Sequence, residues 1–279
     1  MKPDPDTLPD GPLRTDLTQD DRWAALRRAT PARIGLGRTG DALPLRPMLD
    51  FQLAHAQARD AVHAVLDVEA LAAALPPHPV LRVHSAAPDR PTYLRRPDLG
   101  RRLDDASIAT LEEAAAARAQ DGGQGFDLVF VIADGLSAKA VASHAVPVIH
   151  ACLALLDGYR IAPIVLAEQG RVALGDPVGE RLGARLSVVL IGERPGLSVA
   201  DSLGLYLTYG PRPGRRDSER NCISNVHGRG GLTPDLAAAK VAWFVREALR
   251  RGLTGVALKD GIEEALLEGE AGRLPGGSP

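Results

Sequence analysis

Leu128-Val129-Phe130-Val131-Ile132-Ala133 runs straight into Asp134-Gly135-Leu136-Ser137, and an apolar stretch of helical pattern begins at Ala138. Six consecutive apolar residues closed by a glycine turn read as a strand buried on both faces, the kind found in parallel sheets with helices above and below. The same signature repeats outward along the chain. The stretch 80–83 reads as a strand, short apolar runs stand at 162–167, 186–191 and 203–209, and helical patterns lie between at 108–120, 138–156 and 177–182. Pro147 predicts a kink in the second of these helices, and a closing helix is expected over Pro234–Arg251. Strand and helix in alternation predict an α/β, Rossmann-like, mainly parallel sheet with helices on both faces, its ligands at the carboxyl ends of the strands.

Upstream of this core the pattern changes. Residues 1–17 carry Pro3, Pro5, Pro9 and Pro12 among acidic and polar residues and read as a mobile arm. Thr18 with Asp20 and Asp21 opens a short helix bearing Trp23 and Leu26 that ends near Thr30 and Pro31. A second helix is expected over 47–67, with Leu49, Leu53 and Ala56 on an apolar stripe that Phe51, Ala58, Val62 and Val65 widen. The expected organisation is an arm at 1–17, a small helical region at 18–76, a Rossmann-like domain at 77–262 and a loose tail at 263–279.

Composition bounds the function. With 33 basic and 35 acidic side chains the formal charge is −2, so no global field recruits nucleic acid or an anionic membrane surface. Aromatics make up only 4 %, which leaves few platforms for base stacking. The two cysteines, Cys152 and Cys222, and the lack of an apolar leader after a basic start predict a reducing, cytoplasmic setting. The longest apolar runs fall well short of the roughly 20 residues that cross a bilayer, so no membrane contact is expected.

Several motifs invite chemistry. Gly35-Leu36-Gly37-Arg38-Thr39-Gly40 fits a dinucleotide fingerprint, with Asp60 at the right remove, but no apolar strand precedes it and Pro44 delays the helix after it. These glycines read as tight turns. Asp134 follows a strand and precedes a helix; it could bind a ligand or, with Ser137, cap the helix, and both readings stand. Seven histidines show neither H-E-x-x-H nor paired C-x-x-C spacing, so no metal site is expected. Cys222 and His227 resemble a thiol–imidazole pair without an acid to orient the ring, and Cys222 as a small packing residue is the plainer alternative. Glu193, in the turn Gly192-Glu193-Arg194-Pro195-Gly196 after the 186–191 strand, could accept hydrogen bonds from a ligand or lie in solvent. The Pro211–Arg220 stretch reads as a polar loop of the kind that orders on binding. Ligand binding is expected to fall within 171–227.

Taken together, Arg38-x-Gly40 with the helix at 51–60, Tyr93-Leu94-x-Arg96-Pro97-Asp98 with Gly100-Arg101-Arg102-Leu103, Asp134–Ser137, Gly192–Leu197 and Cys222-Ile223-Ser224-Asn225-x-His227 resemble the small (light) subunit of ethanolamine ammonia-lyase. The resemblance runs from about residue 32 to 256. It implies a carbon–nitrogen lyase that uses adenosylcobalamin, with its cobalt, to convert ethanolamine to acetaldehyde and ammonia. In that family the Co–C bond breaks homolytically and the deoxyadenosyl radical takes a hydrogen from substrate held by a large (β/α)8-barrel subunit. This chain would then be a heteromer partner, inactive alone and without catalytic residues, with six heterodimers implied. By motif matching, the implied cobalamin contacts are Val172, Glu193 and Cys222. The D-x-H-x-x-G pattern by which a protein histidine displaces the cobalamin base is absent. The family also implies a cytoplasmic location, free or inside a bacterial microcompartment. The competing readings are a stand-alone Rossmann-like oxidoreductase or hydrolase, and a purely structural partner subunit. The roles of Asp134 and His227 stay open.

Overall fold

The computed structural model describes residues 23–30, 32–120, 123 and 125–261. The expected arm, the helix start at 18–21 and the tail at 263–279 lie outside them. The chain divides into two compact units, Met1–Gln52 and Leu53–Pro279.

In the first unit, helix α1 (Ala24–Ala29) leads into an irregular segment in which Gly35, Gly37 and Gly40 all have positive φ. Among the described residues no strand precedes them; α1 does, and the β-pairing there is an isolated bridge between Thr39 and Ala42. The fingerprint glycines therefore make turns, as their context requires. Helix α2 (Leu45–His63) starts slightly before the expected point and stops early, because Asp67 caps a separate helix, α3 (Val68–Ala74), accepting from the Ala70 amide at 2.9 Å. None of the residues of the expected apolar stripe is buried: Leu49, Phe51 and Leu53 are exposed, and the residues α2 buries are Ala54 and Ala61 instead.

The second unit is built on a six-stranded sheet. Its strands are β1 (Val80–His84), β2 (Phe126–Ala133), β3 (Ile164–Glu168), β4 (Ala184–Gly192), β5 (Leu203–Tyr209) and β6 (Arg220–Val226), in spatial order β1-β3-β2-β4-β5-β6. Pairing is parallel across β1, β3, β2 and β4, and antiparallel for β4 with β5 and β5 with β6. The sheet is therefore mixed, where the sequence suggested mainly parallel. Connection length explains the difference: a parallel crossover needs a dozen or more residues and usually a helix, and the links 193–202 and 210–219 carry no such helix. Strand β6 was not expected at all. Its sequence, Arg-Asn-Cys-Ile-Ser-Asn-Val, buries only Arg220, Ile223 and Val226, so no apolar run marks it.

Helices cover the two faces unequally. On one face α6 (Ala138–Leu155), α8 (Pro234–Arg251) and α3 pack on Leu128, Phe130, Ile132, Val188 and Leu205. On the other, α5 (Asp105–Gln120) and α7 (Gly175–Arg181) cover Val129, Val131, Val165 and Val189. Both faces of β2 are thus dry, and each large apolar side chain it buries contributes about 1.5–3 kcal/mol. Helix α6 is long and apolar enough by length and composition to be weighed as a membrane span. Seven of its residues, Val141 and Ile149 among them, are buried within the chain, and Lys139, Ser143 and His150 face out, the pattern of a core helix. Pro147 lies on its exposed side and the helix continues through it. Helix α8 begins at a Thr233 cap followed by Pro234 and ends at Gly252 with φ +72°, the boundaries its sequence signals.

Because α6 leaves β2 toward one face and α7 follows β3 on the other, the adjacent carboxyl ends of β2 and β3 form the sheet's switch point. Over β5 and β6 the α5/α7 side turns polar, with Tyr206, Thr208, Arg220 and Cys222 in register on it.

Candidate functional site

Beside that polar strip lies a cavity of about 320 Å³. Its floor is Tyr206 on β5 with Arg220 and Cys222 on β6; one wall is Arg171, Val172 and Ala173 in the 3-10 turn after β3; Pro97, Arg101 and Asp217 complete the lining. Pro97, Arg101, Asp217 and Cys222 are exposed, so the rim opens to solvent. Val172 and Cys222, 50 positions apart in sequence, thus line one cavity. Glu193 follows β4 on the same side. Its carboxylate accepts from the Ser202 hydroxyl at 2.5 Å and rests over Gly204, where a β-carbon would stand 2.9 Å from Oε1. Its charge reaches both Tyr206 and Cys222.

The floor is stiff. Arg220 and Asp176 are each 2 % exposed and joined by two hydrogen bonds of 2.7 Å, one to each carboxylate oxygen. The same guanidinium donates to Thr208 Oγ1 at 2.8 Å and to the Arg215 carbonyl at 3.1 Å. A bidentate arginine is the geometry that best repays such desolvation. It ties β6 to the first turn of α7. The neighbouring loop is held within the chain too: Arg215 donates to the Gly210 carbonyl at 2.9 Å, and Glu219 accepts from the Arg216 amide at 2.7 Å. The 211–220 stretch, read as ordering on binding, is already hydrogen-bonded here.

Charge on the walls is cationic. Arg171 is pulled below its usual range, first by burial and then by the nearby Arg90, Arg101 and Arg194, with Tyr93 opposing. Its Nε is buried and finds no hydrogen-bond partner among the described residues. Burial pushes the Cys222 thiol up, Glu193 adds to the effect, and a hydrogen bond with Tyr206 works against it. Tyr206 is raised as well, mainly by burial. A thiol held protonated is a poor nucleophile. The hydrogen-bond partner of the thiol is Tyr206, while the His227 Nδ1 accepts from the Arg229 amide at 3.2 Å in the turn after β6. Among the described residues, no group of three or more His, Cys, Asp or Glu side chains gathers to hold a metal ion.

At Asp134 the capping alternative does not hold. Ser137 alone caps α6, accepting from the Ala140 amide at 3.2 Å. Asp134 is turned inward, where Oδ1 accepts from the Gly170 amide at 3.1 Å and Oδ2 faces Arg90 at 3.3 Å. Burial pushes its carboxyl above the usual range, while Arg90 and the amides of Gln169, Gly170 and Gly135 pull it down. Sequence reasoning missed Tyr206, Arg171 and the Asp176–Arg220 pair. A signal existed for Tyr206, an aromatic hydroxyl that alternates with Leu205 and Leu207 and shares its face with Thr208.

An open, cation-walled cavity on a mixed α/β sheet is a place that can hold a ligand. The comparisons make the class specific. The family model for ethanolamine ammonia-lyase light chain (EutC) matches residues 20–259, and the chain belongs to that family. It is 54 % identical to the ethanolamine ammonia-lyase small subunit of Pseudomonas aeruginosa (strain UCBPP-PA14) over 262 residues, covering 92 % of this chain and 94 % of that one. The small subunits of Pseudomonas putida (strain KT2440 and its synonyms) and Pseudomonas fluorescens (strain Pf0-1) are 54 % and 55 % identical, covering 91 % and 90 % of this chain and 93 % and 91 % of theirs.

Proposed function

We propose that this chain is the cobalamin-holding small subunit of an ethanolamine ammonia-lyase, pairing with a large (β/α)8-barrel subunit in an assembly of six heterodimers. The observation that carries the reading is the convergence of Val172 and Cys222 on one cavity with Glu193 beside it, since these are the three positions that the family resemblance assigns to cobalamin. Adenosylcobalamin, when bound, supplies the radical that starts the conversion of ethanolamine to acetaldehyde and ammonia. This chain's own residues bind and orient it.

The donor set suits that group. Corrin side-chain amides are donors that Glu193 can accept, and the phosphodiester of the nucleotide loop complements Arg101 and Arg171, whose Nε lacks an acceptor. Cys222, small and protonated, lets a macrocycle approach the sheet. A cavity of about 320 Å³ is at the low end for a ligand pocket and takes only part of so large a cofactor. Its exposed rim fits a pocket completed by a second chain. We read the parallel half of the sheet, with its switch point between β2 and β3, as Rossmann-like, and place the complex in the cytoplasm, free or within a microcompartment.

Reconstitution tests the function. The chain alone should show no ethanolamine deaminase activity, and mixing it with the large subunit and adenosylcobalamin should restore turnover. Turnover by this chain alone would favour the stand-alone enzyme; full activity of the large subunit without it would favour a structural partner.

A further inference from the structure

The crevice between the carboxyl ends of β2 and β3 is where a doubly wound sheet ordinarily takes its ligand. In this chain α4 (Arg90–Arg95) fills it. Tyr93 is fully buried there and its hydroxyl donates to the Gly170 carbonyl at 3.0 Å. Arg90 donates to the Gly135 carbonyl at 2.8 Å through Nη1, pairs with Asp134 at 3.3 Å, and anchors its Nε on the Val62 carbonyl at 2.8 Å. Asp134 in turn holds the Gly170 amide at 3.1 Å. Both backbone polar groups of Gly170 are therefore taken by this cluster. The two charged side chains are only 6 % and 11 % exposed, so their attachment to the loop is not a surface contact.

What they hold is a strained turn that leads to the cavity. Gln169 has φ +53°, a left-handed conformation that costs a side-chain-bearing residue and persists only when its surroundings impose it. Arg171 follows, its guanidinium 4.2 Å from the centroid of the Tyr93 ring on which Arg90 also sits, at 4.8 Å, and its Nη2 donates to the Tyr93 carbonyl at 3.2 Å. The next residue, Val172, lines the cavity. Arg90, Tyr93 and Asp134 do not line the cavity themselves; the Gly100 carbonyl, which accepts from the Arg171 amide at 2.7 Å, adds a tie from the segment that carries the lining residue Arg101.

We propose that Arg90, Tyr93 and Asp134 are positioning residues: they clamp the Gln169–Arg171 turn and thereby set the Val172 backbone and the Arg171 guanidinium at the rim where cobalamin is held. The inference rests on the cobalamin reading above for its ligand, and on the hydrogen bonds alone for the clamp. It gives Asp134 a task that neither ligand binding nor helix capping describes.

The test uses the full chain complexed with its cognate large subunit, with cyanocobalamin as the titrated probe and amide exchange over residues 169–173 as a second readout. Asp134→Asn keeps an acceptor for Gly170 but removes the charge facing Arg90; Tyr93→Phe removes only the hydroxyl. Each should speed exchange in the turn, and Asp134→Asn should weaken cyanocobalamin binding on the order of tenfold, the effect of one charged contact. Arg90→Gln combined with Asp134→Asn removes both charges and should recover part of that affinity. Leu111→Ala, on the buried face of α5, should lower the melting temperature without moving affinity beyond about twofold, because it is not part of the clamp. Affinity that follows melting temperature in every variant, Leu111→Ala included, would overturn the proposal, as would unchanged affinity and exchange in both clamp variants. If the wild-type complex binds no cyanocobalamin, the functional reading fails, and exchange at 169–173 alone decides whether the clamp exists.

Discussion

Replacing Asp176 with alanine leaves the Arg220 guanidinium, 2 % exposed, without the carboxylate that takes two of its hydrogen bonds. Breaking a buried pair from one side typically costs about 3–5 kcal/mol. Two features place this case at the low end: Thr208 and the Arg215 carbonyl still accept from Arg220, and the exposed Asp217 carboxylate lies 3.6 Å from its Nε. A loss of about 3 kcal/mol corresponds to a fall in melting temperature of about 6–12 °C for a domain of this size. Differential scanning calorimetry of the purified chain at neutral pH measures it. The double variant Asp176→Leu with Arg220→Met replaces charge with apolar volume and should return stability to within about 1 kcal/mol of wild type. Its cobalamin affinity should stay weak, because Arg220 lines the cavity floor. A single-variant loss below about 1 kcal/mol, the range of exposed ion pairs, would refute the argument that this pair is buried and structural.

Glu193→Ala removes the acceptor beside Tyr206 and Cys222 and should weaken cobalamin binding to the assembled complex by about 1.5–3 kcal/mol in a spectroscopic titration; unchanged affinity would remove Glu193 from the site. Asp127 accepts from the Arg160 amide and guanidinium, and that hydrogen bonding holds its carboxyl below the usual range. A depressed acid stabilises the fold fully above its ordinary value, and that contribution fades as pH falls through the lowered folded value. Asp127→Asn should therefore cost about 1 kcal/mol at pH 7, and the gap to wild type should close in denaturant melts taken well below the usual carboxylate range. Gly135 has φ +58°, and a β-carbon there would stand 2.4 Å from the Gly192 carbonyl. Gly135→Ala should destabilise by about 2–5 kcal/mol, combining backbone strain with overpacking. Gly158→Ala, also at positive φ but with open space around it, should cost only about 1–2 kcal/mol.

Strands β2, β3 and β4 were legible because each buries a nearly continuous apolar run, β1 and β5 from shorter or interrupted apolar stretches, and α8 because Thr233, Pro234 and Gly252 punctuate it. The sixth strand was not, since an edge strand with one polar face needs few apolar residues. Its direction and that of β5 were within reach of connection length, an inference that the alternation of strand and helix obscured. Short helices such as α4 leave too little periodicity to detect, and with α4 went Arg90, the charged partner of Asp134. The three positions assigned by resemblance gather around the cavity, but nothing in their spacing reveals Tyr206 or the Asp176–Arg220 pair, which meet only through strand register and a helix turn distant in sequence.

The central claim is that this chain contributes half of a cobalamin pocket. Equilibrium titration of cobalamin against the large subunit, with and without this chain, tests it most directly. Tight, stoichiometric binding should require both chains. Equal affinity of the large subunit for cobalamin in the absence of this one would contradict the account.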